Sequence, residues 1–302
     1  MGWKDLLRLL LLASLWGASF LFIRIAVPQL GPFLLMDLRV LIGSVVLFLY
    51  ALILRRLPDL KRRWKQYLIL GTINSAIPFT LIAASELYIT SSLAAILNAT
   101  TPMFTAVVAA LRLKDPLTRK KGAGLLLGFI GVAILVGWSP IPVEEKVLLS
   151  VAAMLAASFC YAIGGVYAKK HFPDAPPLTM AIGQLTGAAV ALLPAAAVAL
   201  PSARFTVLGT AATLGLAILS TAAAYILYFR LLRDVGPTQT MTVTFLVPLF
   251  SLLWGALLLD EPVGAGAIIG FLLICTGIIF VADLKPGLGR SSAQARPEKH
   301  SL

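Results

Sequence analysis

The sequence has little charge and almost no cysteine or histidine. Only 13% of its 302 residues are charged, two are cysteine and two are histidine. Hydrophobic residues make up 59%, and the mean hydropathy is +0.94. A water-soluble protein of this length could not bury so much apolar side chain. The composition therefore excludes an ordinary soluble fold and predicts an all-α integral membrane protein.

The scarce reactive residues are also badly placed for catalysis. Cys160 and Cys275 lie inside apolar runs far apart in the sequence, whereas His171 lies in a polar loop and His300 in the polar tail. Neither metal-ligand spacing, nor a nucleophile with a base, nor a phosphate-binding loop is present. We therefore expect no enzyme activity, no cofactor and no metal site.

What the sequence does contain is a series of apolar runs of about 20 residues, the length that crosses a bilayer core of about 30 Å. These runs predict ten transmembrane helices. Their approximate bounds are 6–27, 33–54, 67–88, 91–112, 118–138, 147–168, 178–200, 206–232, 238–259 and 264–282.

The net charge of +12 is distributed unevenly between the predicted loops. Lys and Arg concentrate in segments 55–65, 112–121, 169–170 and 285–299, whereas the loops of the opposite side hold only Lys146 and Arg204. The positive-inside rule then places both termini in the cytoplasm. Because these loops are too short to form a folded basic face, the charge does not predict nucleic-acid binding.

The second part of the sequence repeats the first. Asp115 falls on Glu261 when the chain is shifted by 146 residues. The same shift superimposes prolines and glycines without a gap: Pro102 on Pro248, Pro116 on Pro262, Gly124 on Gly270 and Gly131 on Gly277. Because proline and glycine are scarce, these matches indicate an internal repeat.

The earlier parts of the two copies align with a shift of 145 residues. That shift superimposes Trp16 on Tyr161, Pro32 on Pro177, Arg39 on Gln184 and Arg24 on Lys169. Each copy holds five predicted spans, an odd number, so the second copy starts from the opposite side of the membrane. The sequence thus predicts two inverted five-helix repeats, 1–140 and 141–285, followed by a disordered cytoplasmic tail, 286–302. Inverted repeats provide two similar gates around a site near the midplane.

These features resemble the EamA family of the drug/metabolite transporter superfamily. The resemblance is carried by residues 16–20 (WGASF), by Pro102, by Asp115-Pro116 and by the doubled five-span unit. It implies a ten-helix bundle in the bacterial inner membrane that exports small metabolites, with the fifth and tenth helices at the periphery. Within the superfamily the sequence looks most like bacterial amino-acid exporters of the YddG type. Tyr161 departs from the pattern, because the first copy has Trp16 there.

Two prolines inside predicted spans are candidates for shaping a binding site. Pro102 and Pro248 cannot donate a hydrogen bond to the carbonyls of Asn98 and Thr244, four residues earlier. Those carbonyls and their polar side chains could bind a substrate ammonium or hydroxyl. Alternatively, the prolines only bend their helices, and neighbouring hydroxyls satisfy the carbonyls.

Aromatic residues recur near the same depth. Trp16 matches Tyr161, Phe79 matches Tyr225, and Tyr228 follows one turn later. These rings could line a cavity for apolar side chains, or they could be ordinary packing and interfacial residues.

Two neutral amides and several glycines lie inside the predicted spans. Asn74 and Gln184 could orient a zwitterion or could simply join helices by hydrogen bonds. The glycines have small-xxx-small spacing, which predicts close helix packing. They are Gly122, Gly124, Gly128, Gly266 and Gly270.

Four ionisable residues lie in or at the ends of apolar spans, where charge is costly and usually functional. Arg24, Asp37, Arg39 and Glu86 all lie towards the predicted outer side and are candidates for gating or coupling. A structural ion-pair cluster that closes the outer gate is the alternative, and helix-end snorkelling would explain Arg24 or Glu86 alone. Asp37 and Arg39 are two residues apart and should not pair with each other.

Together these features predict an inner-membrane exporter of amino acids, including neutral aromatic and apolar ones such as Phe, Trp, Tyr, Met and Thr, that works by alternating access. A multidrug or other small-metabolite efflux transporter is the first alternative, and a non-transporting membrane scaffold or sensor is the second. The expected partners are a small-molecule substrate and the lipid bilayer, and the expected assembly is a monomer or homodimer.

Overall fold

The computed structural model describes residues 2–55, 60–113, 118–138 and 144–281. Within these ranges the chain is almost entirely helical and has no β-strand. Seven helical stretches are long and apolar enough to cross a membrane, and two more apolar helices are shorter. In chain order the nine are α1 Trp3–Ile53, α2 Trp64–Ser85, α3 Ser91–Arg112, α4 Arg119–Gly137, α5 Glu145–His171, α6 Pro177–Ser202, α7 Val207–Asp234, α8 Val243–Leu258 and α9 Ala265–Val281. Asp115, Pro116 and the predicted tail 286–302 lie outside the described residues.

Helix α1 is too long for one crossing. Its 51 residues would span about 77 Å at 1.5 Å per residue, more than twice the thickness of a bilayer core. At Gly31 the backbone leaves the helical region, with φ 70° and ψ 163°, so α1 consists of two helices joined by a kink. Glycine tolerates this φ, and Pro32 suits the first turn of the following helix. The predicted loop between spans 6–27 and 33–54 is therefore shorter than expected.

Two predicted continuous spans are interrupted. Helix α3 breaks into Ser91–Asn98 and Thr101–Leu113, so Pro102 occupies the first turn of a new helical segment. The predicted span 238–259 begins as a separate short helix, Gly236–Thr240, which a turn connects to α8. Proline costs little in a first turn because the N–H that it lacks would have no helical partner there.

Two helices contain π-helical segments that the sequence did not reveal. In α2 the segment is Thr72–Ala76, and in α7 it is Gly215–Ala223. A shift of 146 residues places the first segment inside the second, so both copies of the repeat carry the same irregularity. Such segments are rare and frequently mark functional sites.

Glycines bring α4 and α9 into direct backbone contact. A Cβ on Gly124 would lie 2.6 Å from the Gly277 carbonyl oxygen, and one on Gly270 would lie 2.8 Å from the Gly131 oxygen. The small-xxx-small spacing correctly predicted close packing for Gly124 and Gly270. It was also correct for Gly128, which packs against Met103, and for Gly266, which packs against Trp138. Gly122 has no neighbour within 4 Å of an added Cβ, so the prediction was wrong there.

Glycines also bring α2 close to α6. A Cβ on Gly71 would lie 2.4 Å from the Gln184 carbonyl oxygen, and one on Gly187 would lie 2.2 Å from the Tyr67 carbonyl oxygen. This approach places Gln184 directly beside the π-helical segment of α2.

Candidate substrate site between the two halves

A hydrogen-bonded amide network connects the two halves. Asn74 Nδ2 donates to Gln184 Oε1 at 3.1 Å, and Gln184 Nε2 donates to Ser75 Oγ at 2.8 Å. Two consecutive residues of the π-helical segment in α2 thus contact one side chain of α6. Gly164 of α5 leaves room for the network, because a Cβ there would lie 2.4 Å from Asn74 Oδ1. The two amides predicted from the sequence therefore meet each other.

A buried arginine forms a second contact between the halves. Arg39 is 7% exposed, and its Nε donates to Thr221 Oγ1 at 3.1 Å. Its guanidinium carbon lies 4.0 Å from the centre of the Phe79 ring, which is a cation–π contact. Thr221 belongs to the π-helical segment of α7, and its hydroxyl donates to the Leu216 carbonyl five residues earlier.

These two contacts are equivalent under the repeat. The 145-residue shift pairs Arg39 with Gln184, and the 146-residue shift pairs Ser75 with Thr221. Arg39 of the first half therefore binds Thr221 of the second, just as Gln184 of the second half binds Ser75 of the first. Each polar side chain reaches across to the π-helical segment of the other half.

The neighbouring rings follow the same equivalence. Arg39 lies over Phe79, and the Gln184 side chain interacts with the hydroxyl of Tyr225, the repeat partner of Phe79. Tyr161 lies edge-on to Phe79, with ring centres 6.3 Å apart. Tyr161 and Tyr225 are both near enough to Arg39 to interact with it electrostatically. Of the three rings predicted to line a cavity, Phe79 thus contacts the buried cation, Tyr161 contacts Phe79, and Tyr225 lies within electrostatic range of the cation.

Trp16 lies beside this cluster. Its ring centre is 5.6 Å from that of Tyr228, and Tyr228 and Tyr225 both contact Phe229. Trp16, Tyr225 and Tyr228 are half-buried and pack against the hydrophobic core. Half-buried rings inside a helical bundle leave apolar surface that a bound molecule can cover.

The residue after Trp16 explains part of the WGASF stretch. Gly17 packs directly on α8, since a Cβ there would lie 3.0 Å from the Val247 carbonyl oxygen and 2.9 Å from the Ser251 amide nitrogen. Pro248, which is buried, lies between these two residues. The first part of α1 therefore packs closely on α8, the proline-containing helix of the other half.

The carbonyl of Asn98 is not left free. Thr101 Oγ1 donates to it at 2.7 Å, because the helix breaks here and restarts before Pro102. This outcome is the alternative in which a neighbouring hydroxyl satisfies the carbonyl. The Asn98 side chain differs, since its Oδ1 is buried without a hydrogen-bond partner among the described residues. The side chain is the available group at this position.

The equivalent position in the second half uses its side chain locally. Thr244 Oγ1 donates to the Met241 carbonyl at 2.8 Å, three residues earlier. Pro248 still has no N–H to offer the Thr244 carbonyl. The two proline turns thus differ: the side-chain oxygen of Asn98 has no partner among the described residues, whereas the Thr244 hydroxyl bonds within its own turn.

The four charged residues predicted to take part in gating or coupling do not all make the same contacts. Arg24 Nη1 donates to the backbone carbonyl of Glu86, whose carboxylate is fully buried and accepts no hydrogen bond from the described residues. Arg24 and Arg39 both interact electrostatically with that carboxylate. Asp37 is buried as well, and it forms no ion pair with Arg39 within the described part of the chain. Arg39 therefore contacts the central cluster, whereas Arg24 contacts the backbone of Glu86, whose carboxylate lies within electrostatic range of both arginines.

Glu261 holds a polar contact that sequence reasoning missed. Its carboxylate accepts four hydrogen bonds, from the backbone N–H and the hydroxyl of both Ser91 and Ser92, at 2.7–3.1 Å. A carboxylate at a helix N-terminus is favourable because the first N–H groups lack helical partners. This contact ties the loop before α9 to the start of α3. The match of Glu261 with Asp115 was the only sequence signal for it.

The comparisons with known proteins agree with this architecture. The model of the EamA-like transporter family matches twice, at residues 3–137 and 148–282. "Uncharacterized transporter YoaV" of Bacillus subtilis (strain 168) is 26% identical over 278 residues, covering 91% of this chain and 95% of that protein. "Probable amino-acid metabolite efflux pump" of Escherichia coli (strain K12) is 26% identical over 294 residues, covering 92% and 94%.

A solved structure supports the fold alone. A crystal structure of another protein matches this chain with a TM-score of 0.65 at 19% sequence identity. The match covers 93% of this chain and 96% of the other chain. The two family matches together span most of the 302 residues. The chain therefore belongs to the EamA-like transporter family, carries the family domain twice, and is a multi-pass membrane protein that transports small molecules.

Proposed function

We propose that this transporter exports amino acids, including neutral aromatic and apolar ones, across the bacterial inner membrane by alternating access. The observation that carries the proposal is the pair of equivalent contacts, Arg39 with Thr221 and Gln184 with Ser75, made between the two halves. Polar groups and aromatic rings converge there, as a substrate with a charged end and an apolar side chain requires. The family relative named as an amino-acid metabolite efflux pump supports the same substrate class.

The proposed alternating access uses ten spans in two inverted units. We infer ten from α1 counted as two crossings at Gly31 and from α2 to α9 counted as one each. With both termini in the cytoplasm, the two five-span units 1–140 and 141–285 have opposite orientation. The equivalent π-helical segments then approach one site from opposite sides, so rocking one half against the other opens the site to each side in turn.

Within this scheme the substrate site consists of the residues in and around the central cluster. They are Trp16, Asn74, Phe79, Asn98, Pro102, Tyr161, Gln184, Tyr225, Thr244 and Pro248. We assign Arg24, Asp37 and Glu86, towards the predicted outer side, to gating or coupling. We expect the working unit to be a monomer or homodimer, since one chain holds both halves of the site.

The test is uptake into proteoliposomes that contain the purified protein. We expect labelled Phe, Trp, Met and Thr to enter faster than into empty vesicles and to compete with one another. If only lipophilic cations enter the vesicles, the proposal of amino-acid export is wrong and multidrug efflux takes its place. Absence of uptake for every solute would favour a membrane scaffold.

A further inference from the structure

Arg39 is a buried cation without a counter-charge in contact. Among the described residues it forms no ion pair and donates one hydrogen bond, from Nε to Thr221. Glu86 acts on it only at longer range, without an ion-pair contact. The two terminal NH₂ groups of the guanidinium make no hydrogen bond within the described chain. Burying such a cation is costly, and in a membrane protein it usually indicates a functional site.

The position equivalent to Arg39 is neutral. Gln184 occupies the same place in the other half, and its side chain is hydrogen-bonded to Asn74 and Ser75. The two-fold related contacts therefore differ in charge and in free donors. One side of the site offers a guanidinium fork, and the other offers a closed amide network.

From this difference we propose that Arg39 binds the carboxylate of the transported molecule and that the site selects solutes that carry a carboxylate. The planar fork of two NH₂ groups matches the two carboxylate oxygens and forms short, strong hydrogen bonds with them. Phe79 packs against the guanidinium, and Thr221 accepts a hydrogen bond from its Nε, so two contacts hold the fork before the substrate arrives.

This inference rests on the proposed transport function and adds the orientation of the substrate. The carboxylate lies at Arg39, and the apolar part of the substrate lies against the half-buried rings of Trp16, Tyr161 and Tyr225. The neutral network around Gln184 adds no second charge. An amine that lacks the carboxylate cannot accept hydrogen bonds from the guanidinium and places its own positive charge next to it, so it should bind poorly.

The experiment measures competition with labelled Phe in proteoliposomes. Two unlabelled probes share the ring of Phe: 3-phenylpropionate keeps the carboxylate, and 2-phenylethylamine keeps the amine. With the wild-type protein we expect 3-phenylpropionate to compete about tenfold or more better than 2-phenylethylamine, as expected for hydrogen bonds to a charged group. Equal competition by both probes, or stronger competition by the amine, overturns the proposal.

Variants then assign the effect to one residue. We expect Arg39→Gln to raise the KM for Phe about tenfold or more and to remove the preference between the probes, and Arg39→Lys to retain part of it. Arg230→Gln removes the same charge from an exposed position on α7 that has no assigned role, so its preference between the probes should persist. An Arg39→Gln protein with wild-type KM and preference overturns the proposal.

The wild-type competition can still overturn the proposal where Arg39→Gln does not fold, and Arg39→Lys then tests whether the preference belongs to Arg39. Failure of the underlying function has a different signature. If the wild-type protein takes up no labelled Phe above empty vesicles, the proposed amino-acid export fails. If it takes up Phe but does not favour the carboxylate probe, only the role of Arg39 fails.

Discussion

Replacing Glu261 by glutamine tests the four-hydrogen-bond contact between the loop before α9 and the start of α3. Glutamine keeps the shape of the side chain, but it has one oxygen and no charge. In the structure Oε1 accepts from the Ser91 N–H, and Oε2 accepts from the Ser91 hydroxyl, the Ser92 N–H and the Ser92 hydroxyl. If the remaining oxygen takes the place of Oε2, the new NH₂ group faces the Ser91 N–H, which is then left without an acceptor.

The expected cost follows from that one buried donor. Leaving a buried N–H unsatisfied costs about 1–3 kcal/mol, and the remaining bonds weaken because they lose the charge of the acceptor. Ser91 is 0% and Ser92 6% exposed, so water cannot readily replace the carboxylate. We therefore expect Glu261→Gln to lower the thermal unfolding midpoint in detergent by several degrees.

The assay compares four proteins: the wild type, Glu261→Gln, Ser92→Ala and the double variant. Because Ser92 Oγ donates to Glu261 Oε2 at 2.7 Å, the two substitutions should be non-additive by about 0.5 kcal/mol or more. Glu144→Gln is the matched control, since Glu144 precedes α5 as an exposed residue without a side-chain capping bond. A wild-type midpoint for Glu261→Gln, or strict additivity with Ser92→Ala, would refute the reasoning.

Three further substitutions test other parts of the molecule. Gly124→Leu should separate α4 from α9 and reduce the yield of folded protein, because even a Cβ would lie 2.6 Å from the Gly277 oxygen. Size-exclusion chromatography measures that yield, and Gly122→Leu is the control because a Cβ there has no neighbour within 4 Å. Asn98→Leu should lower proteoliposome transport about five- to tenfold by removing one hydrogen bond to the substrate, while normal flux would exclude its side chain from the site. Glu86→Gln should abolish any dependence of transport on a pH gradient if this buried carboxylate carries the coupling proton, and a surviving dependence would exclude it as the sole carrier.

The sequence predicted best those features that repeat. Glycine spacing predicted the close packing of α4 and α9 because each missing side chain must admit a neighbouring backbone. The 145- and 146-residue shifts predicted which positions are equivalent, and two of the pairs, Arg39 with Gln184 and Phe79 with Tyr225, lie in the same cluster. Hydropathy placed the spans. It predicted a loop between the two parts of α1, whereas in the structure only Gly31 leaves the helical conformation there.

Local backbone irregularities were not predictable. The π-helical segments Thr72–Ala76 and Gly215–Ala223 consist of residues that also occur in regular helices, and their hydrogen-bond shift depends on tertiary contacts. Pro102 read as a mid-helix kink, but the chain breaks before it, and the Thr101 hydroxyl satisfies the Asn98 carbonyl. A proline pattern shows where a helix cannot continue normally, but it does not show whether the helix bends or restarts.

Contacts between distant residues were also beyond the sequence. Glu261 and Ser91 are 170 residues apart, and neither the hydropathy nor the charge pattern links them. Arg39 was grouped with Arg24 and Glu86 because all three lie near the same predicted ends of spans. The structure instead points the guanidinium of Arg39 to Thr221 and Phe79, since a long side chain can reach away from its own backbone position.

The difference between Arg39 and Gln184 follows from the energetics of a duplicated site. If both halves kept arginine, two buried cations would lie in one cluster, and each would repel the other at low dielectric constant. If both had glutamine, the site would have no charge with which to bind a carboxylate. Equivalent frameworks with one charged and one neutral residue avoid both problems, because the repeated π-helical segments supply matching hydroxyls, Ser75 and Thr221, that either side chain can use. A charged and a neutral residue at this pair of positions, on equivalent backbones, therefore suit the proposed substrate with two chemically different ends.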